Sequence, residues 1–306
     1  MDRNKLKQNK WIIIVVAVVL VLSFFHIIPI SDPPKTSTAT ALHWGAYAGD
    51  NDGDLENFEQ LVGHRVDIQA VFIGWNDPFP EKIANSLNQQ GKTLLIFWEP
   101  YDISLDEIQS GKSDEYMNSF AVAARASGAE IILAPLHEMN GNWDPWDGYD
   151  ENNHLQNKPE LIISVWKKIH AIFADAANVK LAWVINNDSV PTIAANQADA
   201  YYPGSAFVDY VGVDGFNFGN PWQTFKEVFD RSLVELASYN KPIYIFSTAS
   251  APGADKDEWI RNGLGEQIQQ YPNIAGWVWF NQNGPERNWT VNSDSNSLAA
   301  FKSVIP

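Results

Sequence analysis

ILAPLHEMNGNW, residues 132–143, runs from an apolar stretch directly into an imidazole, a carboxylic acid, a polar turn and an indole. A short apolar run closed by turn residues reads as a buried strand. His137 and Glu138 then stand at its C-terminal tip, with Asn140-Gly141-Asn142 turning the chain toward Trp143. Burying a strand does not require ionisable groups at its end, so this tip points to chemistry.

The same rhythm recurs along the chain. Apolar runs lie at 42–48, 68–75, 93–99, 131–138, 179–186, 208–216, 242–248 and 274–280. Helical patterns lie between and after them, near 54–62, 80–90, 113–127, 159–175, 222–239, 256–270 and 295–303, and the segment after the fifth run is only weakly helical. Strand and helix in alternation imply parallel strands joined by crossover helices. Eight such repeats in roughly 265 residues predict an α/β fold of the (β/α)8 barrel type. A doubly wound open sheet is the competitor, but its commonest nucleotide-binding form needs a glycine-rich turn after the first strand, and none follows LHWGAYA.

A barrel of this kind places function at the C-terminal ends of its strands. The first run holds His43 and Trp44, and the later ones carry Trp75, Trp98-Glu99, His137-Glu138, Asp214, Phe216 and Trp279 toward their ends. Flat indoles stack on the apolar face of a pyranose while carboxylates and amides take its hydroxyls, so the rim reads as a sugar site. Thirteen tryptophans in 306 residues support the same reading. A formal charge of −16 argues against a phosphate backbone as partner. It also disfavours anionic polysaccharides. Cysteine is absent, which excludes disulfides and thiolate metal sites. The six histidines show no metal-ligand spacing.

The N-terminus speaks of compartment. Residues 1–10 carry four basic side chains and one acidic, a net of +3 that leaves −19 for the rest. Residues 11–30 are almost wholly apolar and long enough to cross a bilayer as a helix. Basic residues before such a span place the remainder outside the cytoplasm. SDPPKTSTATA, 31–41, reads as a tether. The alternative is a secretory signal cleaved near Ala41, after the small residues Ala39-Thr40-Ala41. Residues 42–306 show no internal linker and read as one domain.

Glycoside hydrolysis needs a proton donor and, across the anomeric carbon, a second carboxylate. Desolvation at an apolar strand end would raise the pKa of Glu138 and suit it to the first role; the plainer alternative is a cap or ion pair for the following loop.

APLHEMNGNW resembles the acid/base segment of glycoside hydrolase family 26, the retaining β-mannanases and β-glucanases. FWEPYD (97–102), YYPGSAFVDYVGVDGFNFG (201–219), GADKDEWI (253–260) and IAGWVWFN (274–281) resemble other stretches of that family in order, so the likeness covers about 42–303. It implies Glu138 as general acid/base. It also implies His137, Glu99, Trp143, Asp214, Phe216 and Trp279 as sugar contacts, a β-linked polysaccharide as partner, and no cofactor or metal. One position departs. The family's seventh strand ends in the nucleophilic glutamate, within a pattern like Pro-Ile-x-Ile-x-Glu-x-x-Ser, whereas KPIYIFSTAS places Ser247 there. Phe216 likewise stands where the resemblance implies a tyrosine that hydrogen-bonds the nucleophile. Losing such a nucleophile can cost a factor of about a million. Three readings follow: a binder of β-linked glycan without turnover, an inverting hydrolase whose water is activated by Glu99 or Asp214, and a transglycosylase using an activated donor.

Other features have plainer readings. GDNDGDLENFE (49–59) misplaces the glycine of a calcium loop and reads as a loop into a helix capped near Asp52 or Asp54. Trp166, Trp183 and Trp259 read as core. Trp143, Trp146 and Trp222, in Gly/Asn/Pro-rich loops, read as ligand contacts.

Overall fold

The computed structural model describes residues 42–306. Eight parallel strands close in chain order into a barrel. They are β1 (His43–Tyr47), β2 (Ile68–Gly74), β3 (Thr93–Glu99), β4 (Ile131–Pro135), β5 (Val179–Asn186), β6 (Tyr210–Asn217), β7 (Ile243–Ser250) and β8 (Ile274–Phe280), with β8 pairing back onto β1. The outer helices are α1 (Asp54–Val62), α2 (Glu81–Gln90), α3 (Leu105–Ser110), α4 (Asp114–Ser127), α5 (Pro159–Ile172), α6 (Phe225–Ala237), α7 (Lys256–Ile260) and α8 (Ser295–Val304).

Strand alternation sorts the side chains into two layers. Ile68, Ala70, Leu95, Phe97, Ile132, Ala134, Ala182, Val184 and Val278 fill the barrel interior. The opposite parity, including Leu94, Ile96, Trp98, Leu181, Trp183, Trp277 and Trp279, packs against the helices.

Several elements differ from the sequence pattern. The pattern over 256–270 divides into α7, a π-helical turn at Arg261–Glu266 and a 3-10 turn at Gln267–Gln270. Glycines at 263 and 265 weaken helix continuity there. After β5, three 3-10 turns at Ala194–Asn196, Ala198–Tyr201 and Ser205–Phe207 stand where a helix would be, as the weak pattern implied. α1 begins at Asp54, but its cap is Gly53, not an aspartate side chain. Trp166, Trp183 and Trp259 are core residues, as read.

Two local irregularities shape the rim. β4 stops at Pro135 instead of running to 138, and Leu136 and Glu138 take the left-handed region at φ 53° and 58°. Non-glycine residues seldom adopt that region, and they cluster at functional sites when they do. In β7, Ile245 pairs with Val213, but Ser247 pairs with the next residue, Asp214. The extra residue is a β-bulge, which reverses the inward–outward parity of everything after it.

The spans read at 1–10, 11–30 and 31–41 lie outside the described residues. Among the described residues no helix is long and apolar enough to cross a membrane.

Candidate active site

The loop after β4 is stitched to β5 by backbone. The Glu138 amide donates to the Val184 carbonyl at 2.9 Å. Asn140 gives its Nδ2 to the Asn186 carbonyl at 3.0 Å and takes the Asn186 amide on Oδ1 at 2.8 Å. The chain then folds back on itself at Gly141, where a Cβ would come within 2.7 Å of the Trp143 ring and 2.9 Å of the Asp147 carboxylate. Only glycine permits that approach. The result is a hydrogen bond from Trp143 Nε1 to Glu138 Oε2 at 3.1 Å. Trp143 keeps 48% of its surface exposed.

His137 is buried beneath this pair, and both its nitrogens are engaged. Nδ1 lies 3.2 Å from Asp214 Oδ2, and Nε2 lies 3.2 Å from Glu99 Oε1. Trp146 locks the segment from behind by donating Nε1 to the His137 carbonyl at 2.7 Å. Burial by itself disfavours the imidazolium, but the hydrogen bonds to Asp214 and Glu99 outweigh it and hold the His137 pKa well above the ordinary value. Glu138 responds oppositely. Desolvation, reinforced by the Asp214 charge, pushes its carboxyl up to about 8, against the pull of His137 and the Trp143 N–H. A carboxylic acid that stays protonated near neutrality is what a general acid needs. Burial also raises Asp214, with His137 opposing.

Sequence reasoning passed over the support of this loop. Asp147, in DPWDG (144–148), accepts the amides of Trp143 and Asp144, each at 2.9 Å. Burial outweighs those bonds and raises its carboxyl to about 8. Asp144 sits at about 6 for the same reason and takes the Tyr101 hydroxyl at 3.1 Å. Tyr101, half-exposed within FWEPYD, lies edge-on to the Trp146 ring at 5.0 Å.

The remaining expected residues divide. Glu99, His137, Glu138, Trp143 and Asp214 come together. Phe216 faces the rim, 5.9 Å from Phe280 and 5.2 Å from Trp289. Ser247 lies beside Asp214 in register, on the inward face. Trp279 does not join them. Its ring is fully buried among Phe301, Trp259 and Lys256, and its Nε1 donates to the Trp289 carbonyl at 3.0 Å. Strand parity is the reason: Trp279 faces the helices, so Phe280, stacked 5.0 Å from Tyr47, is the β8 aromatic on the inner side. Trp146 is likewise fully buried and not a ligand contact. Trp222 is half-buried at a separate hollow of about 210 Å³.

One oxygen or nitrogen each from His137, Glu138 and Asp214 lie within 4.8 Å of one another, the closest approach to a metal donor set among the described residues. Because both His137 nitrogens already face carboxylates, the arrangement suits proton handling better than cation binding. A hollow of about 490 Å³ between α1, α2 and β2 contains none of these groups.

The glycosyl hydrolase family 26 model matches residues 81–303. The chain belongs to that family. It is 35% identical over 280 residues to Endoglucanase H of Acetivibrio thermocellus, a match covering 87% of this chain and 30% of that protein. It is 30% identical over 221 residues to the mannan endo-1,4-β-mannosidase A and B of Caldalkalibacillus mannanilyticus, covering 70% and 38%. The chain therefore spans about a third of the length of these two relatives. Among solved structures, a Bacillus subtilis mannanase superposes with a TM-score of 0.63 at 16% identity, covering 88% of this chain and 86% of that one. A β-mannanase from a symbiotic protist of the termite Reticulitermes speratus, solved with a gluco-manno-oligosaccharide, gives 0.60 at 16%, covering 86% of each. At these identities the superpositions establish the shared barrel fold.

Proposed function

We propose that this family 26 domain engages neutral β-linked glycans of the mannan, glucomannan or mixed-linkage glucan class at the C-terminal rim. In this reading Glu138 is its proton-transfer group, and the double displacement of retaining hydrolases is not used. The observation that carries it is the half-buried, Trp143-bonded Glu138 in a site whose inward residue at 247 is a serine. The names of the two relatives support the substrate class. Ser247 is a poor replacement nucleophile, because a serine needs a base and both His137 nitrogens are taken. The segment 11–30 would hold the domain outside the cytoplasmic membrane; alkaline carbonate extraction that released the chain intact would overturn that anchor.

A second reading is favoured by one distance. Asp214 and Glu138 present oxygens within 4.8 Å of each other, nearer the roughly 5–5.5 Å of a retaining pair than the roughly 6.5–9.5 Å of an inverting one. Asp214 would then be a displaced nucleophile. Against this, its carboxylate is 1% exposed and holds His137.

The test is incubation of the chain with mannan, glucomannan and lichenan, alongside Glu138→Gln, Asp214→Asn and Ser247→Glu. Retention on glucomannan gels without reducing ends from wild type, and hydrolysis gained by Ser247→Glu, is the expected pattern. Reducing ends released by wild type, and lost in both Glu138→Gln and Asp214→Asn, would establish the second reading instead.

A further inference from the structure

We propose that the site carries out glycosyl transfer in one direction. An α-configured glycosyl donor expels a small anionic leaving group toward Ser247, while a sugar hydroxyl deprotonated by Glu138 attacks the opposite face to form a β-linkage. This rests on the glycan reading above and adds a reaction to it.

The geometry supplies what such a step needs and lacks what the reverse needs. In a retaining pathway the second half-reaction is attack on an α-linked glycosyl carboxylate, assisted by the acid/base residue acting as base. A donor that arrives α-linked enters at that half-reaction and needs no nucleophile from the protein. The base is present: Trp143 fixes Glu138 through Oε2 alone. Residue 247 is turned inward by the β7 bulge, in register with Asp214, and a serine there leaves room that a glutamate would fill. Its hydroxyl can donate to a departing anion. His137, clamped between Glu99 and Asp214, adds a cation nearby.

The step balances. The acceptor oxygen bonds to C1, the bond from C1 to the leaving atom breaks with its electron pair, and the acceptor proton passes to Glu138 and then to solvent. The β-linked product persists, because its cleavage would require the absent carboxylate. Transfer needs Glu138 ionised. The groups around it are His137, Asp144 and Asp147 of its own loop, Tyr101 after β3 and Asp214 on β6, with Glu99 reaching it through His137. The rate should therefore climb as pH rises through about 8, whereas acid-assisted hydrolysis would fall.

The test uses the full-length chain with α-mannosyl or α-glucosyl fluoride as donor and 4-nitrophenyl β-cellobioside or β-mannobioside as acceptor. Fluoride is followed by electrode, and the product by mass and anomeric proton NMR. Acceptor-dependent fluoride release is expected, with addition of one hexose in β-linkage and a rate reduced about 100-fold or more in Glu138→Gln. Ser247→Ala should lower the rate several-fold. Acceptor-independent release, an α-linked product, or a Glu138→Gln rate equal to wild type would overturn the proposal. The rising wild-type pH profile tests the same base without any variant, and a falling one counts against it. Wild type retained on glucomannan but inactive with both fluorides would refute transfer and leave glycan binding standing. Wild type not retained would refute both.

Discussion

Glu138 is held in a state that costs stability. Its pKa is about 4.5 in a solvated chain and about 8 in the fold, so between those values the folded state binds the extra proton and stability falls as pH rises. Each unit corresponds to about 1.4 kcal/mol, part of which is screened because Glu138 keeps an exposed edge. Glu138→Gln should be equal to wild type in stability below pH 4.5 and more stable by on the order of 2 kcal/mol at pH 8, read from urea denaturation at the two pH values. A pH-independent difference would contradict the buried-acid account. Trp143→Phe removes the one N–H that favours the Glu138 carboxylate, so the carboxyl should titrate still higher, as followed by its infrared band. Trp143→Ala removes the exposed ring as well and should weaken retention on glucomannan by up to about tenfold.

The elements around the site show how parity decides roles. Trp279 looks like a sugar platform in the string IAGWVWFN, but β8 turns it toward α8. Trp279→Ala should therefore cost about 3–5 kcal/mol in chemical denaturation, as large aromatic truncations do, with glucomannan retention by the folded protein unchanged. Phe280→Ala, one residue on, should show the reverse weighting. The β7 bulge has the opposite consequence. Simple alternation from Tyr244 and Phe246 would turn Ser247 outward, and the inserted residue turns it inward beside Asp214. The end of β4 is a third case. Its apolar run continues through Leu136, but two left-handed residues break the strand and lift Glu138 toward the rim. Bulges and strained turns arise from packing between neighbouring strands, so they leave little trace in the residues of one strand alone.

At the scale of the whole molecule, the acidic balance of −16 sets a long-range preference. Neutral glucomannan should be retained at least about tenfold better than polygalacturonate at low ionic strength, and the gap should narrow as salt screens the charge. Equal retention at low salt would place the binding face away from the acidic field.

The barrel was legible in the chain itself, because the alternation of apolar runs and helical stretches is a periodic signal that each segment carries alone. The His137-Glu138 tip, the serine at 247 and the acidic charge were equally plain, being matters of residue identity and order. What needed the folded molecule was direction. That His137 is clamped by Glu99 and Asp214, that Asp147 braces the Trp143 loop, and that Trp279 and Trp146 are buried while Ser247 faces inward all depend on contacts between residues far apart in sequence. Those contacts are fixed by closure of the sheet and by one-residue shifts of register, and a one-residue shift sends a side chain to the other face.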